Sequence, residues 1–177
     1  IVEDDPYGKL RYFGEDIPPV IVVDQQYRAK LGEPPGQGNV IYMSTFSKLL
    51  APGIRMAWVI ADMEVIHKIV FAKQGADLHS PTFNQMVAYE VARDGFLDEY
   101  AGTIRATYKK RLLVMLEAMD EYFPEGVTWT RPEGGMFLWV TLPEGLDAQE
   151  LLLKAVERKV AYVPGQPFHP DGSGKNT

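Results

Sequence analysis

The run Thr45-Phe46-Ser47-Lys48-Leu49-Leu50-Ala51-Pro52-Gly53-Ile54-Arg55 constrains this chain more than any other stretch. It follows Val40-Ile41-Tyr42-Met43, an apolar segment of strand length. A buried strand that runs out into two hydroxyls, a lysine, a Pro-Gly turn and an arginine collects polar chemistry at the edge of a sheet. A second apolar start, Ile1-Val2, runs into Glu3-Asp4-Asp5-Pro6-Tyr7-Gly8, which sets a carboxylate and a phenol three residues apart at another strand end. The chain is therefore expected to build on strands whose ends carry functional groups.

The remaining pattern predicts an α/β chain. Val20-Ile21-Val22-Val23 is a second apolar run, and residues 24–39, polar with Pro34-Pro35-Gly36 and Gly38, read as a surface loop. Strands are expected at Ile1–Glu3, Val40–Met43 and Ala57–Ala61. Helical spacing returns around Val65, Ile66, Ile69 and Val70, and again from Thr82 to Arg93 behind Pro81. A long helix is expected from Leu97 to Phe123, with Ile104, Tyr108, Leu112, Met115, Met119 and Phe123 as its apolar stripe. Lys109-Lys110-Arg111 falls on its solvated face. Beyond Pro124, Val127–Thr130 and Met136–Leu142 are expected to pair across Pro132-Glu133-Gly134-Gly135. Asp147-Ala148-Gln149-Glu150 is a capping box for a helix over Ala148–Arg158, and Val160–Val163 reads as a last strand. Trp58, Trp129 and Trp139 are assigned to the core.

Composition narrows the chemistry. With no cysteine, disulfides and thiolate metal sites are excluded. A net charge of −6 argues against a nucleic-acid surface, and no apolar stretch is long enough to span a bilayer. A cytoplasmic protein is the default expectation. His67, His79 and His169 lack metal-ligand spacing. Gly172-Ser173-Gly174-Lys175-Asn176-Thr177 lacks the first glycine of a phosphate loop and has Asn176 where Ser or Thr belongs. Thr45-Phe46-Ser47-Lys48 has Thr where a Ser-x-x-Lys nucleophile would stand, with neither companion motif present.

Taken singly, each polar residue at the two strand ends has an ordinary reading. Lysine is normally a surface residue, an arginine normally pairs with a surface acid, and acid pairs before proline are common in turns. Taken together they describe one ligand. Lys48 offers an amine that condenses with an aldehyde as a Schiff base and later moves protons as base and acid. Thr45 and Ser47 offer hydroxyls, and Arg55 a bidentate guanidinium, to a phosphate. An aldehyde and a phosphate on one small molecule point to pyridoxal 5'-phosphate. Asp4 would then keep the pyridine nitrogen protonated, and Tyr7 would hydrogen-bond the ring oxygen.

These segments, with Pro132-Glu133-Gly134-Gly135-Met136-Phe137-Leu138-Trp139, resemble the class I/II aminotransferases of fold type I, and most closely the branch of 2-aminoadipate, kynurenine and multi-substrate aminotransferases. The resemblance implies a transferase-like α/β fold. Residues 1–96 would be the C-terminal part of the large cofactor-binding domain, with a mixed sheet, and residues 97–177 most of a small α+β domain, incomplete at its end. It implies Lys48 as the catalytic residue, and Asp4, Tyr7, Thr45, Ser47, Lys48 and Arg55 as the cofactor-binding set, without a metal. Thr45 departs mildly, since the family usually has Ser there, and the loop from Asp24 to Asn39 is longer than usual. The resemblance further implies transfer of an amino group between an amino acid and a 2-oxo acid by a homodimer.

The ends read as those of a piece of a longer protein. Ile1-Val2 looks like the inside of a strand, and residues 172–177 stop in a loop without a closing element. By resemblance, a glycine-rich phosphate loop, a ring-stacking aromatic and an asparagine would precede Ile1, and a substrate-carboxylate arginine would follow Thr177. The 177 residues alone are accordingly expected to be poorly active. Two alternatives stay open at this point: a lyase on the same fold, and an aminotransferase-like effector domain of a helix-turn-helix regulator.

Overall fold

The computed structural model describes all 177 residues. They form two compact units, Ile1–Lys109 with Glu133–Gly135, and Lys110–Pro132 with Met136–Thr177.

The first unit is organised by a three-stranded sheet in the order β1 (Val2–Asp4), β2 (Ile41–Thr45), β3 (Ala57–Ile60). β1 runs parallel to β2, with Val2 opposite Ile41 and Asp4 opposite Met43. β3 returns antiparallel to β2, with Tyr42 opposite Ile60 and Thr45 opposite Ala57. The sheet is thus mixed, as expected. A parallel pair cannot be joined by a tight turn and needs a crossover. Here the crossover is α1 (Val20–Lys30), which overturns the expected loop over residues 24–30, while residues 31–39 are irregular as expected. Four successive apolar residues, all of them β-branched, disguise this helix, and its cap is not local. Pro19 precedes it and no neighbouring side chain caps it. Instead the Glu3 carboxylate, 17 residues earlier on β1, accepts from the Val20 N–H (2.8 Å) and the Ile21 N–H (3.2 Å). A carboxylate at a helix N-terminus satisfies orphan donors and meets the positive end of the dipole.

α2 (Met63–Ala76) follows β3, capped by the Asp62 side chain on the Glu64 N–H, and α3 (Thr82–Ala92) starts directly after Pro81. α4 spans Phe96–Tyr122. Its most buried line passes through Ala101, Leu116 and Met119, whereas Met115 (53% exposed) and Phe123 (41%) of the expected stripe face outward. Over a long helix, 3.6 residues per turn drifts off a fixed ladder of three- and four-residue steps. Lys109 is half-buried, its Nζ 4.2 Å from the centre of the Phe13 ring.

The segment Leu10–Phe13 clamps the Glu133–Gly135 turn. Tyr12 and Phe13 donate their N–H groups to the Glu133 carbonyl, Gly135 donates to the Leu10 carbonyl, and Arg11 pairs with the Glu133 carboxylate. Leu10 is fully buried. A Cβ on Gly134 would lie 2.6 Å from the Leu10 carbonyl oxygen and 2.9 Å from the Arg11 Cα, both backbone atoms. Only glycine permits this approach.

In the second unit, β4 (Thr128–Trp129) and β5 (Val140–Thr141) pair antiparallel as expected, but over two residues each. α5 (Ala148–Glu157) begins at the Asp147 cap, whose carboxylate accepts from the Gln149 and Glu150 N–H groups. Val160–Val163 forms no strand, which corrects the expectation. Apolar content marks a segment as strand-capable, but a strand exists only where a neighbouring backbone supplies the ladder. The C-terminal residues are tied rather than loose. Lys175, Asn176 and Thr177 carbonyls accept from Ala148, Leu142 and Gly165, and the Asn176 amide donates back to the Leu142 carbonyl. None of the three tryptophans is fully buried. Trp139 is 38% exposed, Trp129 packs edge-on against Phe123, and Trp58 lies 4.8 Å from Phe46 between ring centres. No helix is long and apolar enough to cross a membrane.

Replacing the remote cap should be measurable. Glu3→Ala is expected to lower stability by about 1 kcal/mol, the usual cost of losing a cap, read as a lower urea midpoint with unchanged slope.

Candidate functional site

Because β1 and β2 are parallel, their C-terminal ends lie side by side, the place where open α/β sheets bind ligands. The turn after β1 is held from β2. The Asp5 N–H donates to the Met43 carbonyl (2.8 Å), and the Ser44 hydroxyl donates to the Asp5 carbonyl (2.7 Å). The Tyr42 hydroxyl donates to Asp5 Oδ2 (3.1 Å). The same carboxylate lies against Gly8, where any Cβ would run into it, and the Leu10 N–H closes the turn on the Tyr7 carbonyl. The result is a half-buried Tyr7 with the Lys48 Nζ 5.6 Å from its ring centre. That distance lies at the outer edge of a cation–π contact.

The turn after β2 is held by Thr45. Its hydroxyl accepts from the Ser47 N–H (3.1 Å) and lies 2.9 Å from both the Ser47 hydroxyl and the Met56 carbonyl. The Leu50 N–H bonds the Phe46 carbonyl, forming one turn around Lys48. A short 3-10 turn, Pro52–Ile54, follows, and Arg55 ends it in the left-handed conformation (φ 51°, ψ 47°). The Arg55 guanidinium is exposed and folds back on the Pro52 carbonyl (3.1 Å). Asp4 is exposed at the end of β1, opposite Met43.

Among the expected residues, the structure brings Tyr7 together with Lys48 and Thr45 together with Ser47. Asp4 stands on the neighbouring strand end, and Arg55 one turn further along the chain. What the sequence reading missed are Tyr42 and Ser44, which lock the Asp5 turn from the neighbouring strand. Their signal was the period of two: both project from the same face of β2. The donor set, a lysine amine, a phenol, two hydroxyls, a guanidinium and a carboxylate around two strand ends, fits a small molecule that carries a carbonyl and a dianion.

Burial raises the Tyr42 phenol above its ordinary value of 10.0, and the bond to the Asp5 carboxylate raises it further. A phenol raised in the folded state stabilises the fold fully below the unfolded value and loses that contribution as pH rises through the folded one. Stability should therefore decline above about pH 10. Tyr42→Phe is expected to make that decline shallower, as measured by urea midpoints between about pH 9 and 11.

Known proteins match this chain along its whole length. The family model for aminotransferase class I and II matches residues 2–176. The aromatic-amino-acid aminotransferase 1 of Thermococcus litoralis is 47% identical over all 177 residues, which span 40% of that protein. The 2-aminoadipate transaminase of Thermus thermophilus is 45% identical over the whole chain and 42% of its own length. Among solved structures, the alpha-aminoadipate aminotransferase of Thermus thermophilus, complexed with N-(5'-phosphopyridoxyl)-L-leucine, superposes with a TM-score of 0.88 at 42% identity. That match covers 99% of this chain and 43% of that one. The chain thus spans about two fifths of the length of these relatives.

Proposed function

The chain belongs to the class I and II aminotransferases, and on that premise we propose that the protein carrying it moves an amino group between an amino acid and a 2-oxo acid, with pyridoxal 5'-phosphate as cofactor. The observation that carries this reading is the placement of the Lys48 amine over the Tyr7 ring at two adjacent parallel strand ends. The cofactor, when bound, supplies a carbonyl and an electron-accepting pyridine ring. This chain's side chains do the rest. Lys48 Nζ would hold the cofactor's carbonyl carbon until the substrate's amine displaced it, and the freed amine would then take the proton from the substrate α-carbon and hand it back on the cofactor side. The Tyr7 phenol would donate a hydrogen bond to the ring oxygen. The Asp4 carboxylate, on the neighbouring strand, would keep a proton on the ring nitrogen. Thr45, Ser47 and Arg55 would bind the phosphate through two hydroxyls and a guanidinium.

Residues 1–96 act in this reading as the C-terminal part of the cofactor-binding domain and 97–177 as the small domain. α4 starts near that division, at Phe96, whereas the compact units part within α4, between Lys109 and Lys110. A homodimer rests on the resemblance alone, and a cytoplasmic location on composition.

The test is borohydride trapping of pyridoxal phosphate in the full-length protein, with peptide mass spectrometry. Wild type is expected to carry the label on Lys48, and Lys48→Ala to lose both label and amino-group transfer. Label on another lysine would sink the assignment. Label on Lys48 without transfer from any amino acid would favour the effector-domain alternative.

A further inference from the structure

We propose that Asn84 is a positioning residue for the phosphate grip: its amide holds the turn that keeps Arg55 left-handed. The inference rests on the cofactor reading above. Arg55 has a positive φ of 51°, a conformation that residues other than glycine disfavour. Such a conformation persists only where its surroundings over-determine it. The turn itself does not do so. Its two backbone–backbone bonds, Ile54 N–H to Ala51 carbonyl and Arg55 N–H to Pro52 carbonyl, are both 3.4 Å, beyond the normal range. Nor does the preceding Gly53, which has open space around it. The firm contact comes from outside. Asn84, in the first turn of α3, donates its Nδ2 to the Ile54 carbonyl at 3.0 Å in a part-buried site.

That carbonyl belongs to the peptide unit that leads into Arg55, so fixing it fixes the direction in which the arginine leaves the turn. The donor stands on an 11-residue helix, which holds a side chain more accurately than a loop does. The chemistry is specific as well. An amide is a neutral donor, whereas Asp at this position would set one acceptor against another. The Arg55 guanidinium itself rests on the Pro52 carbonyl of the same turn (3.1 Å). An arginine waiting for a dianion in that state needs its backbone held by something other than the ligand.

The experiment compares binding of pyridoxal phosphate with binding of pyridoxal, which lacks the phosphate, in the full-length protein. Asn84→Ala is expected to weaken pyridoxal phosphate roughly five- to tenfold, about the effect of one hydrogen bond, and to leave pyridoxal within about twofold. Asn84→Asp, which keeps the shape and removes the donor, should reproduce the selective loss. It also serves if the alanine variant is poorly folded. In an Arg55→Ala background, Asn84→Ala should add nothing further, because the group being positioned is gone. Equal weakening of both ligands, or none, would overturn the proposal while leaving Lys48 trapping intact. Failure of wild type to trap the cofactor at Lys48 would instead remove the reading beneath it.

Discussion

The parallel pairing of Val2–Asp4 with Ile41–Thr45 is the contact on which the first unit depends. Antiparallel strands would have put the Asp4–Tyr7 turn and the Thr45–Lys48 turn at opposite edges of the sheet. Parallel ones put both turns at a single edge, and they force a crossover between the strands. α1 meets that demand, and β1 caps it through Glu3.

Three successive acids on one short segment therefore have three different duties. Glu3 faces α1 and caps it. Asp4, on the alternate face of the strand, stays exposed. Asp5, past the strand end, is held by Tyr42 and Ser44 and shapes the turn that carries Tyr7. Composition does not separate these duties. The two-residue period of the strand and the identity of the neighbour do so. The same logic applies to the arginine turn, where an exposed residue in a costly backbone conformation is steadied by a helix about thirty residues further along the chain.

Legibility followed the range of the interactions. The start of α5 was readable because Asp147 caps the residues that immediately follow it. α2 and α3 were readable because their spacing and their first residues lie in one window. α1 was not readable, since β-branched residues favour strands locally and the stabilising carboxylate sits in another element. The apparent strand at Val160–Val163 shows the opposite error: suitable residues without a backbone to pair with. Leu116 rather than Met115 lines the buried side of α4, because small angular drifts accumulate along a long helix.

The candidate site divides along the same line. The residue types of the site, from Lys48 and its two hydroxyls to Arg55, Asp4 and Tyr7, were set by the sequence alone, since each motif is contiguous and its chemistry belongs to its side chains. Tertiary structure alone decided that Tyr7 lies under Lys48, that Tyr42 and Ser44 hold the Asp5 turn, and that Asn84 bonds the Pro52–Ile54 turn. Those relations join residues far apart in the chain, and only the pairing of strands and the packing of a helix bring such residues within hydrogen-bonding or ring-contact range.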